Sequence, residues 1–198
     1  MKRVTLAEIE NMRTRGYDRS TIADAEAWLE VCKRADELIA QVDLAFDGVT
    51  LGNGIGLWQS DGIDDYRGPA ELQRLRANDE KLDWRRIPVD ALNYCNAASA
   101  FLDAEGMRFH TPAFIIAELS GQFGADFIDR LIYNSLGAPD FINLLTPAQR
   151  HAIQKLKELN GIPIYVHGYG IELKIGELTI DFDWGPNDAA KPFSRRGT

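Results

Sequence analysis

The sequence predicts an α+β protein: a mainly helical domain followed by a C-terminal antiparallel β-hairpin or small three-stranded sheet. Three observations predict it. Apolar residues recur at intervals of three or four through most of residues 5–160, the period of a helix buried along one face. Cap-plus-proline signals punctuate the same region. Beyond Gly161 the apolar period drops to two, the signature of a half-buried strand. The plan is a helical domain over 1–160 with a glycine-rich loop at 48–69, a hairpin packed on it over 161–186, and a flexible tail over 187–198.

The elements follow in order. Thr5-Leu6-Ala7-Glu8 is a capping box, in which Thr5 and Glu8 satisfy free amides at a helix start, and Gly16 stops that helix. A longer helix is expected from about Ser20 to Phe46, with Ile22, Ala25, Leu29, Cys32, Ala35, Ile39, Val42 and Phe46 as its apolar stripe. Glycines at 48, 52, 54, 56, 62 and 68 then predict a long ordered loop holding at most one short helix. Helix returns at 70–80. Ile87-Pro88-Val89-Asp90 opens another with proline in its first turn, closed by Gly106, and Thr111-Pro112 repeats the start, with Gly121 as the stop. Residues 127–136 are apolar and ambiguous between helix and strand. Thr146-Pro147-Ala148-Gln149 is a second capping box, and Asn160-Gly161 ends its helix.

In the last part, Ile171, Leu173 and Ile175 alternate with charged residues, and beyond Gly176-Glu177 the apolar residues Leu178, Ile180, Phe182 and Trp184 alternate with polar ones. A two-residue loop beginning with glycine suits a type II′ turn. The pairing puts Ile175 opposite Leu178, Leu173 opposite Ile180 and Ile171 opposite Phe182, with Glu172 facing Asp181 and Asp183 beyond on the other side. Ile164-Tyr165-Val166 is a candidate third strand.

Composition bounds the function. The chain has 198 residues with 22 basic and 30 acidic side chains, a net charge of −8, which argues against a generic nucleic-acid or anionic-membrane binder. One of the longest uncharged stretches, Gly48 to Ser60, has 13 residues, and a membrane helix needs about 17–25. The start Met1-Lys2-Arg3 carries charge too early for a signal-peptide core. Two cysteines, Cys32 and Cys95, are too few for a disulfide framework. A cytoplasmic protein is the expectation.

Each candidate for chemistry meets a plainer reading. Gly52-Asn53-Gly54-Ile55-Gly56 resembles a phosphate loop, but no strand precedes it and Asp61, Asp64 and Asp65 follow, where they would repel phosphate. Those aspartates offer oxygen ligands but not the spacing of a calcium loop, so solvated and helix-capping roles are preferred. The histidines, His110, His151 and His167, form no metal-binding pair. No serine nucleophile motif occurs. Asp103, Gly106 and Arg108 flank an expected tight corner, read as a structural motif with an Asp–Arg bridge across it. No catalytic residue, metal ligand or cofactor is assigned.

Two resemblances add to this. Residues from about Ile22 to Leu159 resemble a bacterial family of small domains of unknown function, through Leu51-Gly52-Asn53-Gly54-Ile55-Gly56-Leu57, Asp79-Glu80-Lys81-Leu82-Asp83-Trp84, the run from Phe101 to Ala113 and Leu145-Thr146-Pro147-Ala148-Gln149. The segment from His167-Gly168-Tyr169-Gly170 through Asp183-Trp184-Gly185-Pro186-Asn187 resembles the end of a second uncharacterised family. Both are similar to small acidic proteins encoded beside secreted bacterial toxins as immunity partners. Charge and hydropathy speak against nucleic acid and membrane as partners. With the net charge of −8, the missing catalytic set and the acidic hairpin face, the resemblance leads to the expectation of a non-catalytic protein that binds a toxin domain. Its expected contact residues are Asp61, Asp64, Asp65, Glu172, Asp181 and Asp183. The alternatives are a metal-assisted hydrolase using His167, Asp181 and Asp183, and a structural or assembly subunit.

Overall fold

The computed structural model describes residues 1–133, 138–160 and the segments 171–175 and 178–182. The helices run α1 Leu6–Thr14, α2 Arg19–Ala45, α3 Leu57–Asp64, α4 Pro69–Asn78, α5 Val89–Tyr94, α6 Ala104–Leu119, α7 Phe127–Tyr133, α8 Ala138–Leu144 and α9 Pro147–Asn160, with single 3₁₀ turns at Trp84–Arg86 and Ala98–Ala100. None of the described helices is long and apolar enough to cross a membrane.

The α+β expectation is corrected. Residues 1–133 and 138–160 contain no strand, so the class of this body is α-helical. The segments Ile171–Ile175 (β1) and Leu178–Phe182 (β2) pair antiparallel, with Ile171 across from Phe182 and Ile175 across from Leu178. They are the only strands among the described residues. The turn at 176–177, the third strand at 164–166 and the tail from 187 lie outside the described residues.

Two compact units divide the chain. One comprises Met1–Arg3 and Val31–Leu159; the other comprises Val4–Glu30 and the chain from Asn160. In the second unit, α1 starts on the capping box: Glu8 N–H donates to Thr5 Oγ1 at 3.2 Å and Thr5 N–H to Glu8 Oε2 at 2.7 Å. Arg13 then bridges Glu10 and Glu26.

The α2 stripe has the expected period but a different centre. Ala25, Cys32, Ala35 and Val42 are buried as read, yet Trp28, Val31 and Leu38 share the centre, while Ile22, Leu29 and Ile39 sit at the edge. Neighbouring positions differ by about 100° around a helix, so a sequence rich in apolar residues allows two adjacent stripes and the packing selects one.

The core of the first unit is built on α6. Met107, Phe109, Phe114 and Ile115 are fully buried, and Phe114 stacks on Phe127 at 4.6 Å and meets Phe123 edge-on at 5.2 Å. Burying a side chain of this size stabilises by about 1.5–3 kcal/mol. Here a second expectation is corrected: Gly106 ends no helix and Thr111-Pro112 starts none. One helix runs from Ala104 to Leu119 with Pro112 inside it. Proline removes one ladder bond, but apolar burial on nearly every side of α6 outweighs that loss. Residues 127–133 resolve as helix, and the Pro69 and Pro147 starts are as expected.

Candidate functional site

The glycine loop after α2 is held by a collar of polar side chains. Gly52 has φ +56°, a conformation that favours glycine. Arg76 donates through Nη2 to the Gly52 carbonyl at 3.1 Å and through Nη1 to the Gly54 carbonyl. Glu105 accepts from Asn53 N–H at 3.1 Å. Asp103 is the N-cap of α6, and its Oδ1 accepts from Gly106 N–H at 2.8 Å and from Ile55 N–H at 2.9 Å. No Asp103–Arg108 bridge forms. Arg108 Nε instead donates to Gln149 Oε1 at 3.3 Å, and Asp103 is committed to amides on two segments. A Cβ on Gly54 would lie 2.5 Å from the Gly106 nitrogen, so the loop backbone touches α6 directly.

Gln149 closes the far side of the collar. It forms the expected capping box with Thr146, at 3.0 and 3.2 Å, and its Nε2 donates to the Ala45 carbonyl at 3.2 Å, satisfying one of the free carbonyls that end α2. Trp84 does likewise for the next residue, Nε1 to the Phe46 carbonyl at 2.9 Å.

Beyond Gly56 the chain enters α3 with no side-chain cap of its own. Asp79, which follows α4, supplies the cap: its Oδ1 accepts from Trp58 N–H at 2.7 Å. Gly56 is required because a Cβ there would overlap the Asp79 carboxylate. Asp79 is 6% exposed and its Oδ2 has no partner among the described residues. Burial pushes this carboxyl above its ordinary value, against the pull of the Trp58 and Gln59 amides and the charges of Lys81 and Arg76.

A cleft of about 290 Å³ opens beside this cap, with Leu57, Trp58, Ile87, Pro88 and Ala91 among its walls and Asp79, Glu80, Arg86 and His110 as its ionisable residues. His110 Nδ1 meets the Gly106 carbonyl at 2.8 Å; a carbonyl only accepts, so Nδ1 carries the proton and Nε2 the lone pair. Burial lowers the His110 pKa to about 4, so the ring is neutral at pH 7. Glu80 is fixed differently. Its Oε1 accepts from the amides of Lys81, Leu82 and Asp83 at 3.0, 2.9 and 3.2 Å, which hold its carboxyl below the ordinary range. Its Oε2 lies 3.6 Å from Arg86 Nε.

The outer surface of α3 carries the expected acidic residues. Asp61 is partly sheltered; burial, then the charges of Asp65 and Asp64, raise its carboxyl, and it accepts from the Cys95 thiol. That thiol, buried and facing Asp61 and Asp79, is pushed up to about 12, which makes it a poor nucleophile. Asp64 and Asp65 are exposed, and Asp65 pairs with Arg67 at 2.8 Å. Between them and Arg67 stands Tyr66, 96% exposed, with φ +56°. Tyr94, 70% exposed, lies 5.7 Å from the Trp58 ring. Thus α3 carries Asp61, Asp64 and Asp65, with the Trp58–Tyr94 pair at its start and Tyr66 just beyond its end. The side chains of Glu172 and Asp181, and all of Asp183 and His167, lie outside the described residues. Among the described residues no group of three or more His, Cys, Asp or Glu side chains is arranged to hold a metal ion.

Asp79, Glu80, Trp58, Tyr66 and His110 were not marked as site residues by sequence reasoning. The available signal was Gly56 before Leu57: a helix start without a capping side chain requires a cap from elsewhere.

The residues of this collar fall inside one recognised segment: the model of a family of unknown function, DUF6714, matches residues 34–159. The chain belongs to this family. The DUF6714 segment begins within α2 and ends in α9, and contains the loop, its collar, the cleft and the α3 surface. No curated protein and no solved structure matches the chain.

Proposed function

We propose that this protein is an acidic binding protein, an immunity protein that neutralises a toxin domain by covering a basic cleft with the outer surface of α3. The observation that carries the reading is Tyr66. Tyr66 takes the left-handed position that closes α3, where its own amide donates to the Ile63 carbonyl at 3.0 Å and the Arg67 amide to the Gly62 carbonyl at 2.8 Å. A glycine would be favoured there by about 1 kcal/mol, yet the residue is a tyrosine 96% exposed. An exposed aromatic directly after Asp64 and Asp65, at the end of a helix that also presents the Trp58–Tyr94 pair, has the composition of an interface with a charged margin. The net charge of −8 favours a basic partner and rapid, salt-sensitive association. The resemblance of both segments to immunity-type proteins supports the same reading.

The test is co-expression with the product of the adjacent gene. A complex is expected to survive purification, Tyr66→Ala to weaken it by tenfold or more through dissociation, and the triple change of Asp61, Asp64 and Asp65 to Asn to slow association and flatten its salt dependence, as about 1–3 kcal/mol and loss of steering imply. Absence of a complex, or affinity unchanged in both variants, overturns the proposal.

A further inference from the structure

We infer that the cleft between the start of α3 and His110 seats a guanidinium group. This reading stands on the cleft and does not depend on the partner proposed above.

The cleft selects its occupant by what its walls cannot do. Glu80 is a held carboxylate whose Oε1 is saturated by three amides, which leaves Oε2 as its one accepting atom toward a ligand. His110 has committed its proton to Gly106, so Nε2 accepts and does not donate. Asp79 stands behind them, its Oδ2 sealed against Gly56 and without a hydrogen-bond partner among the described residues, so it makes no contact with an occupant. The occupant must therefore be positive and rich in donors. Asn78 is the one other polar wall residue, and the rest is apolar: the Trp58 indole with Leu57, Ile87, Pro88 and Ala91. A planar cation lies on such a surface with its faces dry and its edge N–H groups directed at the acceptors, whereas a compact, strongly hydrated ammonium would lose its water without recovering equivalent bonds.

The chain already places this chemistry at the rim. The Arg86 Nε stands 3.6 Å from Glu80 Oε2, beyond hydrogen-bond range, with its side chain 68% exposed. It is a loose counter-ion that an incoming guanidinium displaces. Two sources present the same group: a free guanidino compound and an arginine side chain of a protein.

The experiment uses the full chain alone, ¹⁵N-labelled, titrated separately with methylguanidine, agmatine, N-acetyl-arginine amide and methylammonium, and followed by the Trp58 indole and His110 ring signals. Methylguanidine is expected to shift both signals with millimolar affinity, the range open to so few atoms, and methylammonium to shift neither. Glu80→Gln, which keeps an acceptor for the three amides, should weaken binding tenfold or more. Arg86→Ala should tighten it several-fold by removing the competitor. If agmatine binds and N-acetyl-arginine amide does not, the source is a free small molecule; if the amide binds at least as well, the source is a protein side chain. No shift at about 50 mM methylguanidine in either the wild type or Arg86→Ala, or equal binding of methylammonium, overturns the inference.

Discussion

Replacing Glu118 by Gln should stabilise this protein at neutral pH and change the shape of its pH profile. Glu118 sits late in α6 and accepts from Ile128 N–H at 2.9 Å in the first turn of α7. Burial raises its carboxyl from 4.5 to about 7, helped by Asp126 and Asp129 and opposed by the Ile128 amide. A difference of one pKa corresponds to about 1.4 kcal/mol, so ionising this group in the folded state costs about 3 kcal/mol above pH 7. The cost disappears as the pH falls from 7 to 4.5, because there the native state holds a proton that the unfolded chain has released. His110 has the opposite sign. Its pKa falls from 6.5 to about 4, so the unfolded chain takes up the extra proton and about 3 kcal/mol is lost as the pH falls from 6.5 to 4, overlapping most of the Glu118 interval. The two slopes nearly cancel in the wild type.

Gln keeps an oxygen for the Ile128 amide and removes the ionisation. Urea unfolding at a series of pH values should show Glu118→Gln more stable than the wild type by about 2–3 kcal/mol at pH 7.5, with the gap closing toward pH 4.5 and the variant's acid limb correspondingly steeper. A gap that stays constant across that range would refute the reasoning.

Two further predictions concern the collar. Gly56→Ala drives a methyl into the Asp79 carboxylate and should destabilise by about 1–3 kcal/mol, read as a lowered urea midpoint with an unchanged slope. Asp103→Ala removes the α6 cap and the Ile55 acceptor together. It should cost about 2 kcal/mol or more and speed amide exchange at Ile55 and Gly106, and a loss confined to Gly106 would separate the loop from the collar.

Where chemistry is local, the residues themselves sufficed. Both capping boxes form as read, because each needs only a hydroxyl and a carboxylate or amide three positions apart. The α2 span needed only a sustained period. The joint at 101–113 was misread for the opposite reason: Gly106 and Pro112 are ordinary helix punctuation, and only the burial available to α6 makes one helix cheaper than two. Gly106 is there to admit the Ile55 carbonyl, a contact with a segment fifty residues away that no local pattern encodes.

By itself, then, the amino-acid order determined an acidic, largely helical chain, the positions of most helix starts, and the aspartates after the glycine loop. Tertiary structure decided the α-helical class of the described body, which of two adjacent α2 stripes is buried, and the meeting of Asp79 with Gly56. It also decided the tautomer of His110 and the raised carboxyl of Glu118. The division has one cause: capping and periodicity are energies between neighbours along the chain, whereas desolvation and close approach depend on what the fold brings from elsewhere.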